Sequence, residues 1–413
     1  MRNNQPPEAI IVFSIQSLLD PLFQGLFYEY TKAYQAQNEG YIFHIFTEEH
    51  EAYALSEAEQ IAKKKELAQL GIVWHPMQYR KGRLIILKKI YSIFLFVLAV
   101  WKVKRKHNAK KIIGSLVMAS TYCYVVSKLL NLELITFCFE PHSLYMKEFG
   151  IWSEKSLKYR ILSNLEYRTA KASTYITAPT IYTVELLKKW QVKGHINRVP
   201  ISIDPQKFEY SEAERNQIRT TYNIPSDKYV MLYLGKFEGI YYNEAEVANY
   251  LKKLIDFDPN IFIFTISPNE TQGIVNAYEK AGLDTNDFLV LNKIPYAEIQ
   301  SYISACDMGL VAIPPLDSQK YRTPVKIGNY LSCGIPFIVT KGVADDDIMA
   351  KKENVGVVFD SLSDADFEAP LPKLKELMYE NKDTLRARCR AAAIKHRGIQ
   401  NSVQALEEAI QQY

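Results

Sequence analysis

The chain has 413 residues, 48% of them hydrophobic and 23% charged, which excludes a disordered polymer and allows roughly two to three folded domains. A net charge of +4, with no Cys/His finger and no RNP aromatic signature, gives no basis for nucleic-acid binding. The five cysteines (Cys123, Cys138, Cys306, Cys333 and Cys389) are scattered and form no Cys-x-x-Cys pair, which excludes a disulfide framework or structural zinc site and fits a reducing cytosol.

The first ten residues are polar and predict no secretory leader. Residues 9–14 are a short apolar run, read as a strand, and an aromatic-rich helix follows over 21–37. Strands are then expected at 41–47, 71–76, 111–115, 134–139 and 174–178. Helices are expected between them at 55–70, 84–104, 119–130 and 154–171, with another at 180–190. Residues 197–205 read as a connector, and the pattern restarts with a very apolar strand at 229–235 and a helix at 243–257. Further strands fall at 261–266, 288–292, 308–313, 336–340 and 355–359, and the polar tail 364–413 reads as amphipathic helices. Such alternation implies parallel sheets covered on both faces. The expected architecture is α/β, with two doubly wound Rossmann-like domains facing across a cleft. The expected boundaries are 1–200, 201–385 and a C-terminal helical segment 386–413 packing back on the first domain.

Residues 80–111 stand apart because they contain no acidic side chain. An apolar run, 90–100, lies between Lys81, Arg83, Lys88 and Lys89 on one side and Trp101, Lys102, Lys104, Arg105, Lys106, Lys110 and Lys111 on the other. It is shorter than the roughly 18–20 residues of a membrane span. Basic charge beside an apolar, aromatic face suits an anionic membrane surface. The competing expectation is a buried helix of the first domain with basic ends.

The most informative segment runs from Arg322 to Pro336. Thr323 is a good N-cap, Pro324 suits a first helical turn, and Gly334 can end the helix in a left-handed conformation. The start of such a helix favours an anion such as a diphosphate, and Lys326 adds a full positive charge one turn in. Capping alone reads first as an ordinary capped helix.

This segment resembles the donor-site motif of glycosyltransferase family 4, in the subgroup reading Ser-Pro-x-Lys-x-x-Glu-Tyr-Leu-Ala-x-Gly-x-Pro-Val-Ile. Thr323, Pro324, Lys326, Tyr330, Leu331, Gly334, Pro336 and Ile338 fit it. Gly342-Val343-Ala344-Asp345 is similar to the subgroup's Gly-x-Gly-Asp turn, and Val199–Asp204 with Phe208 to its inter-domain connector. Tyr233-Leu234-Gly235-Lys236 resembles the first strand and turn of its nucleotide domain, and Cys306–Leu310 its Ala-Asp-x-Gly-Leu element. The resemblance implies the GT-B fold and a retaining, metal-independent transfer of sugar from a nucleotide-diphosphate donor to a glycan or lipid-linked acceptor. It implies no cofactor beyond the donor substrate and a role in surface polysaccharide or glycolipid synthesis; the scattered cysteines and the basic 80–111 segment add the expectation of a cytoplasmic protein, peripheral at the inner face of the membrane.

Carried over residue by residue, the resemblance puts Thr323 and Lys326 on the donor phosphates, with Gly235, Lys236 and Arg322 beside them and Asn329 and Tyr330 completing the donor set. In the first domain, Phe137–Ser143 resembles the segment in which a strand runs into a histidine touching the donor sugar. His142 is therefore the expected contact to a donor hydroxyl, and Glu140 positions it or meets the acceptor. The other histidines (His44, His50, His75, His107, His195 and His396) lack metal-ligand spacing.

Three departures mark this chain. The second Glu of the family's Glu-x7-Glu pair falls on Asn329 and the first at or near Tyr321. Asn can accept a ribose hydrogen bond, but without charge. The Gly-Gly turn after the first strand is replaced by Ser14-Ile15-Gln16-Ser17, and a usual Lys-Gly by Tyr241-Tyr242-Asn243. Asn329 leaves open a degenerate GT-B protein that binds a sugar nucleotide or a partner; a GT-B sugar-nucleotide epimerase is a third reading. The patterns Asp256-x-Asp258, Asp345-x-Asp347 and Asp364-x-Asp366 match a metal motif, but such pairs are common in acidic loops and no metal is expected.

Overall fold

The computed structural model describes the chain apart from residues 1–6, 39, 81, 83, 84, 240, 296, 297, 364, 365 and 413. Lys81, Arg83, Leu84 and Asp364 of the sequence reading thus lie outside the described residues. The chain divides into two units, Met1–Val199 with Gln400–Tyr413, and Pro200–Ile399. Each is a parallel sheet with helices between its strands.

The first unit holds β1 (Glu8–Ser14), β2 (Tyr41–Glu49), β3 (Ile72–Gln78), β4 (Lys111–Ser115), β5 (Glu133–Phe137), β6 (Tyr175–Ala178) and β7 (His195–Arg198). Their order is β3-β2-β1-β4-β5-β6-β7, so the winding reverses between β1 and β4. Strands buried on both faces must be apolar throughout, and Ile10, Ile11, Val12 and Phe13 of β1 are fully enclosed. β7 was not anticipated. Its sequence, His-Ile-Asn-Arg, is that of a half-buried edge strand with no apolar run. The helix expected at 21–37 is interrupted by a π-helical turn at Gln24–Tyr28.

The basic segment forms one helix, Ile85–His107. Phe96, Val100 and Val103 pack inward with Phe13 and Phe46, and Lys89 reaches the buried Glu48 at 3.0 Å. The opposite face is solvent-exposed, so the helix is buried along one side only. Among the described residues no helix is long and apolar enough to cross a membrane.

The second unit holds β8 (Tyr229–Leu234), β9 (Ile261–Ile266), β10 (Phe288–Leu291), β11 (Met308–Val311), β12 (Phe337–Thr340) and β13 (Gly356–Phe359). Their order is β10-β9-β8-β11-β12-β13, with the reversal between β8 and β11. Arg215 and Arg219, one turn apart on the Glu212–Thr221 helix, grip the two carboxylate oxygens of Asp307 at 2.8 and 2.7 Å. Asp307 also accepts the Val230 amide at 2.9 Å, which fixes that helix to β8 and to the start of β11. Burial pushes the Asp307 carboxyl upward, but the two guanidiniums and Lys382 outweigh it and hold it below the usual range.

The C-terminal tail is shared between the units. The Lys382–Arg397 helix packs in the second unit, where Arg397 is buried against Asp346 and donates to the Ile201 carbonyl at 3.1 Å. In the first unit, Glu408 of the Ile399–Gln411 helix accepts from Tyr175 and Asn197, each at 3.0 Å. The five cysteines are buried, and none of them is in a disulfide.

Candidate functional site

In an open parallel sheet the ligand crevice lies beyond the carboxyl ends of the strands where the winding reverses. In the second unit that point is the gap between β8 and β11. Gly235 follows β8, and the Val325–Ser332 helix follows β11, so the two elements meet there. The Gly235 amide donates to the Ile266 carbonyl at 3.0 Å, and its φ of +152° is one that side-chain-bearing residues rarely adopt. A Cβ at Gly235 would lie 2.7 Å from Lys326 Nζ, so the lysine occupies the space that the glycine leaves.

Lys326 Nζ sits 5.8 Å from the ring centroid of Tyr233 and 5.6 Å from that of Tyr241. No carboxylate among the described residues pairs with it. Burial pulls its ammonium down to about 8. Ring faces offset only part of the lost hydration of a cation. The ammonium is thus held in place with its charge uncompensated.

The helix that carries Lys326 begins differently from the expectation. Pro324 is its cap residue, with no side-chain cap hydrogen bond, and Thr323 lies one residue outside, buried. Proline has no amide to donate and no side-chain oxygen, so the positive end of the helix stays open. The other end follows the prediction. Gly334 has φ +74°, its amide donates to Leu331 at 3.0 Å, and the Ile335 amide donates to Tyr330 at 3.0 Å. These bonds are a Schellman closure, which turns the chain directly into β12.

The remaining donor-set residues separate. Asn329 is buried, and its side-chain oxygen has no hydrogen-bond partner among the described residues. Arg322 is half-buried and ends the Gln319–Tyr321 turn through a bond from its amide to the Gln319 carbonyl at 3.2 Å. The Ala344 amide also donates to Gln319, at 3.0 Å, which draws the turn after β12 onto this loop. Lys236 is exposed, and its carbonyl accepts Tyr233 Oη at 2.7 Å. Tyr330 departs from expectation. Its ring is fully enclosed, within 2.2 Å of where a Gly309 Cβ would stand, so its side chain packs the helix onto β11 and offers a donor no surface.

In the first unit, Cys138 leaves β5 at φ +61°, a left-handed conformation uncommon for a residue with a side chain. Its amide is held by Thr177 Oγ1 at 2.6 Å. Glu140, partly exposed, follows, and its carboxylate lies 3.9 Å from the Cys138 thiol. His142 is the first residue of a helix, His142–Glu148, with its ring against Tyr145 and Trp152. Glu166, missed in the sequence, holds this turn from beneath. Its buried carboxylate accepts the Ser143 amide at 2.9 Å, the Ser143 hydroxyl and the His142 amide. Burial pushes the Glu166 carboxyl up to about 7, against these hydrogen bonds. No local signal marks it, because its partner is 23 residues away.

The Asp-x-Asp carboxylates are engaged elsewhere. Asp256 pairs with Lys252, Asp258 accepts Tyr379 Oη at 2.6 Å, and Asp347 accepts the Ile348 amide at 2.9 Å. No group of three or more potential metal ligands occurs among the described residues.

Two doubly wound α/β units of this kind constitute the GT-B fold, and solved structures similar to the chain share it. Sucrose-phosphate synthase from Thermosynechococcus elongatus superimposes with a TM-score of 0.68 at 13% identity, over 98% of both chains. A glycosyltransferase from Rickettsia africae gives 0.69 at 13% identity, over 98% of this chain and 100% of its own. Anabaena HepE, solved in complex with UDP-glucose, gives 0.68 at 13% identity with the same coverage. Within the second unit, residues 284–395 match the family model described as glucosyltransferase 3-like, C-terminal domain, a span that includes the whole Lys326 helix. No curated protein matches the chain.

Proposed function

We propose that the protein is a retaining glycosyltransferase that moves a sugar from a nucleotide-diphosphate donor to a glycan or lipid-linked acceptor. The observation that carries this reading is Lys326: a desolvated ammonium with no carboxylate partner, at the switch point of the second sheet, beside a glycine and an uncapped helix start. A diphosphate supplies the missing negative charge. As the bond from the sugar's anomeric carbon to the diphosphate oxygen breaks, negative charge collects on the leaving group. Fixed donors aimed at that charge are usually the largest catalytic term. In this reading Lys326 and the helix start serve the diphosphate, with Arg322, Thr323 and Lys236 at its margin. Transfer is metal-independent, and chelator leaves it unchanged.

The matched glucosyltransferase 3-like segment and a neighbour solved with UDP-glucose support a UDP-hexose as the first donor to test. His142 in this proposal hydrogen-bonds a donor hydroxyl, and Glu140 meets the acceptor. Membership of glycosyltransferase family 4, a role in surface polysaccharide or glycolipid synthesis, and a site of action at the cytoplasmic membrane face belong to the same proposal. The test is a thermal-shift and nucleotide-release screen with UDP-, GDP-, ADP- and dTDP-sugars. A shift and slow release with one donor supports the reading, and the absence of any shift rejects it. Asn329 favours one alternative, a protein that binds the sugar nucleotide without transferring it. Binding with no release in the presence of lipid-linked acceptors selects that alternative.

A further inference from the structure

The outward face of the Ile85–His107 helix is unusual. Leu87, Ile90, Tyr91, Phe94, Leu98 and Trp101 recur at helical spacing, and Leu87, Phe94 and Trp101 are 60%, 55% and 41% exposed. The stripe is about 21 Å long at 1.5 Å per residue. Single exposed apolar side chains are ordinary, but a contiguous stripe of this length marks an interaction surface.

The charge around it narrows the partner. Lys102, Arg105 and Lys106 are exposed beyond the stripe, and no acidic residue occurs between 80 and 111. At each end a guanidinium lies over an aromatic ring: Arg80 over Tyr91 and Arg105 over Trp101, both 5.0 Å from the centroid. Tyr and Trp with arginine at the margin of an apolar face suit the headgroup level of a bilayer. A second copy of the chain fits poorly, because a twofold pairing of this face sets one basic rim near another. The helix stays anchored inward by Phe96, Val100 and the Lys89–Glu48 pair while its outer face is free to insert.

We infer that this helix face docks the protein on an anionic lipid bilayer, with the six apolar side chains entering the headgroup–acyl boundary and the basic rim meeting lipid phosphates. The inference rests on the proposed site of action at the membrane face and is independent of the donor assignment, which the nucleotide screen tests separately. The test is co-flotation of the full chain with phosphatidylcholine vesicles, with and without phosphatidylglycerol, at low and high salt. Expected are binding to the anionic vesicles, loss of it in Phe94→Glu/Leu98→Glu, and at least about tenfold weaker binding in Lys102→Glu/Arg105→Glu/Lys106→Glu. The second variant alters only exposed side chains outside the stripe, so it decides the matter if the first misfolds. Circular dichroism matching the parent chain shows that each variant is folded. Absence of binding to anionic vesicles, or equal binding to neutral ones, overturns the inference. A dimer of the parent chain that Phe94→Glu/Leu98→Glu converts to monomer overturns it in favour of self-association.

Discussion

Gly235 and Lys326 are complementary: the ammonium of one stands 2.7 Å from where a side chain on the other would begin. Gly235→Ala must therefore displace Lys326 and adopt an unfavourable φ. A lysine tip can swing aside, so the fold should survive with a loss of about 1–2 kcal/mol. The ammonium, however, is moved from the crevice. Donor affinity measured by calorimetry should fall at least about tenfold, and an unchanged affinity would show that the phosphates bind elsewhere.

Lys326 itself should reveal a trade of stability for binding. Its pKa near 8 in the free protein lies below the ordinary lysine value of 10.5. The folded state therefore binds fewer protons than the unfolded state between these values, and stability contributed by this group rises with pH across that window. Lys326→Met removes an uncompensated charge while keeping the stem. It should raise the unfolding free energy by about 1–3 kcal/mol near neutral pH and abolish this pH slope. The same variant should weaken the donor severely. In the parent chain, donor affinity should fall as pH rises through 8, and binding near pH 8 should take up protons from buffer. A variant that binds donor as well as the parent ends the phosphate assignment.

Asn329 gives a cleaner separation. Its side-chain oxygen is buried but bonds to nothing in the described chain, so removing it breaks no internal hydrogen bond. Asn329→Ala should leave thermal stability within about 1 kcal/mol of the parent while costing nucleotide binding a similar amount. A large loss of stability with unchanged binding would instead assign Asn329 to the core. Asn329→Glu, read for transfer rate, asks whether the family's acidic residue raises catalysis in this background.

Much of this was legible in the sequence, for identifiable reasons. Buried parallel strands need uninterrupted apolar runs, and those runs were visible from β1 to β13. The exception was β7, whose edge position leaves it polar. The Schellman closure at Gly334 was legible because one residue type dominates that conformation. The cap was not: Thr323 and Pro324 are both acceptable there, and the choice depends on how the preceding Gln319–Tyr321 turn delivers the chain. Lys326 was read from its motif, but its burial near the rings of Tyr233 and Tyr241 is a tertiary fact. Tyr330 fits the donor motif as well as Lys326 does, and only the packing of its ring on Gly309 assigns it to the core. Glu166 and the Arg215–Asp307–Arg219 cluster escaped for the same reason, because their pairing spans elements distant in sequence.

That arginine cluster predicts a stability effect remote from the chemistry. Asp307→Asn keeps the shape but leaves two buried guanidiniums without a counter-charge. Breaking a buried pair in this way costs about 3–5 kcal/mol. The depressed Asp307 pKa means its contribution is complete above the unfolded carboxyl value of 3.8 and is lost as pH falls through the lower folded value. Urea midpoints of Asp307→Asn should fall sharply at neutral pH, and the gap to the parent should close in strong acid. A midpoint unchanged at neutral pH would show that the cluster does not hold the Glu212–Thr221 helix.

The first unit should carry two opposed pH slopes. His44 Nδ1 lies 3.0 Å from His75 Nε2, with the His107 ring 4.9 Å from that of His44. Burial pulls His44 down to about 4, helped by His75, His107 and Lys106, and pulls His75 to about 4, helped by Lys64. Both imidazoles stay neutral in the fold, so their contribution is complete above pH 6.5 and lost as pH falls toward 4. Glu166 runs the other way. Its folded pKa of about 7 exceeds the unfolded 4.5, so its contribution is complete below 4.5 and lost as pH rises through 7. Each group changes the slope by about 1.4 kcal/mol per pH unit in the shared window from 4.5 to 6.5. Glu166→Gln should therefore steepen the loss of stability on acidification by one such increment, and His44→Phe should flatten it by one. Urea denaturation of the three proteins at intervals between pH 4.5 and 7 measures both differences. Parallel profiles would mean that neither the histidine pair nor Glu166 changes protonation on folding.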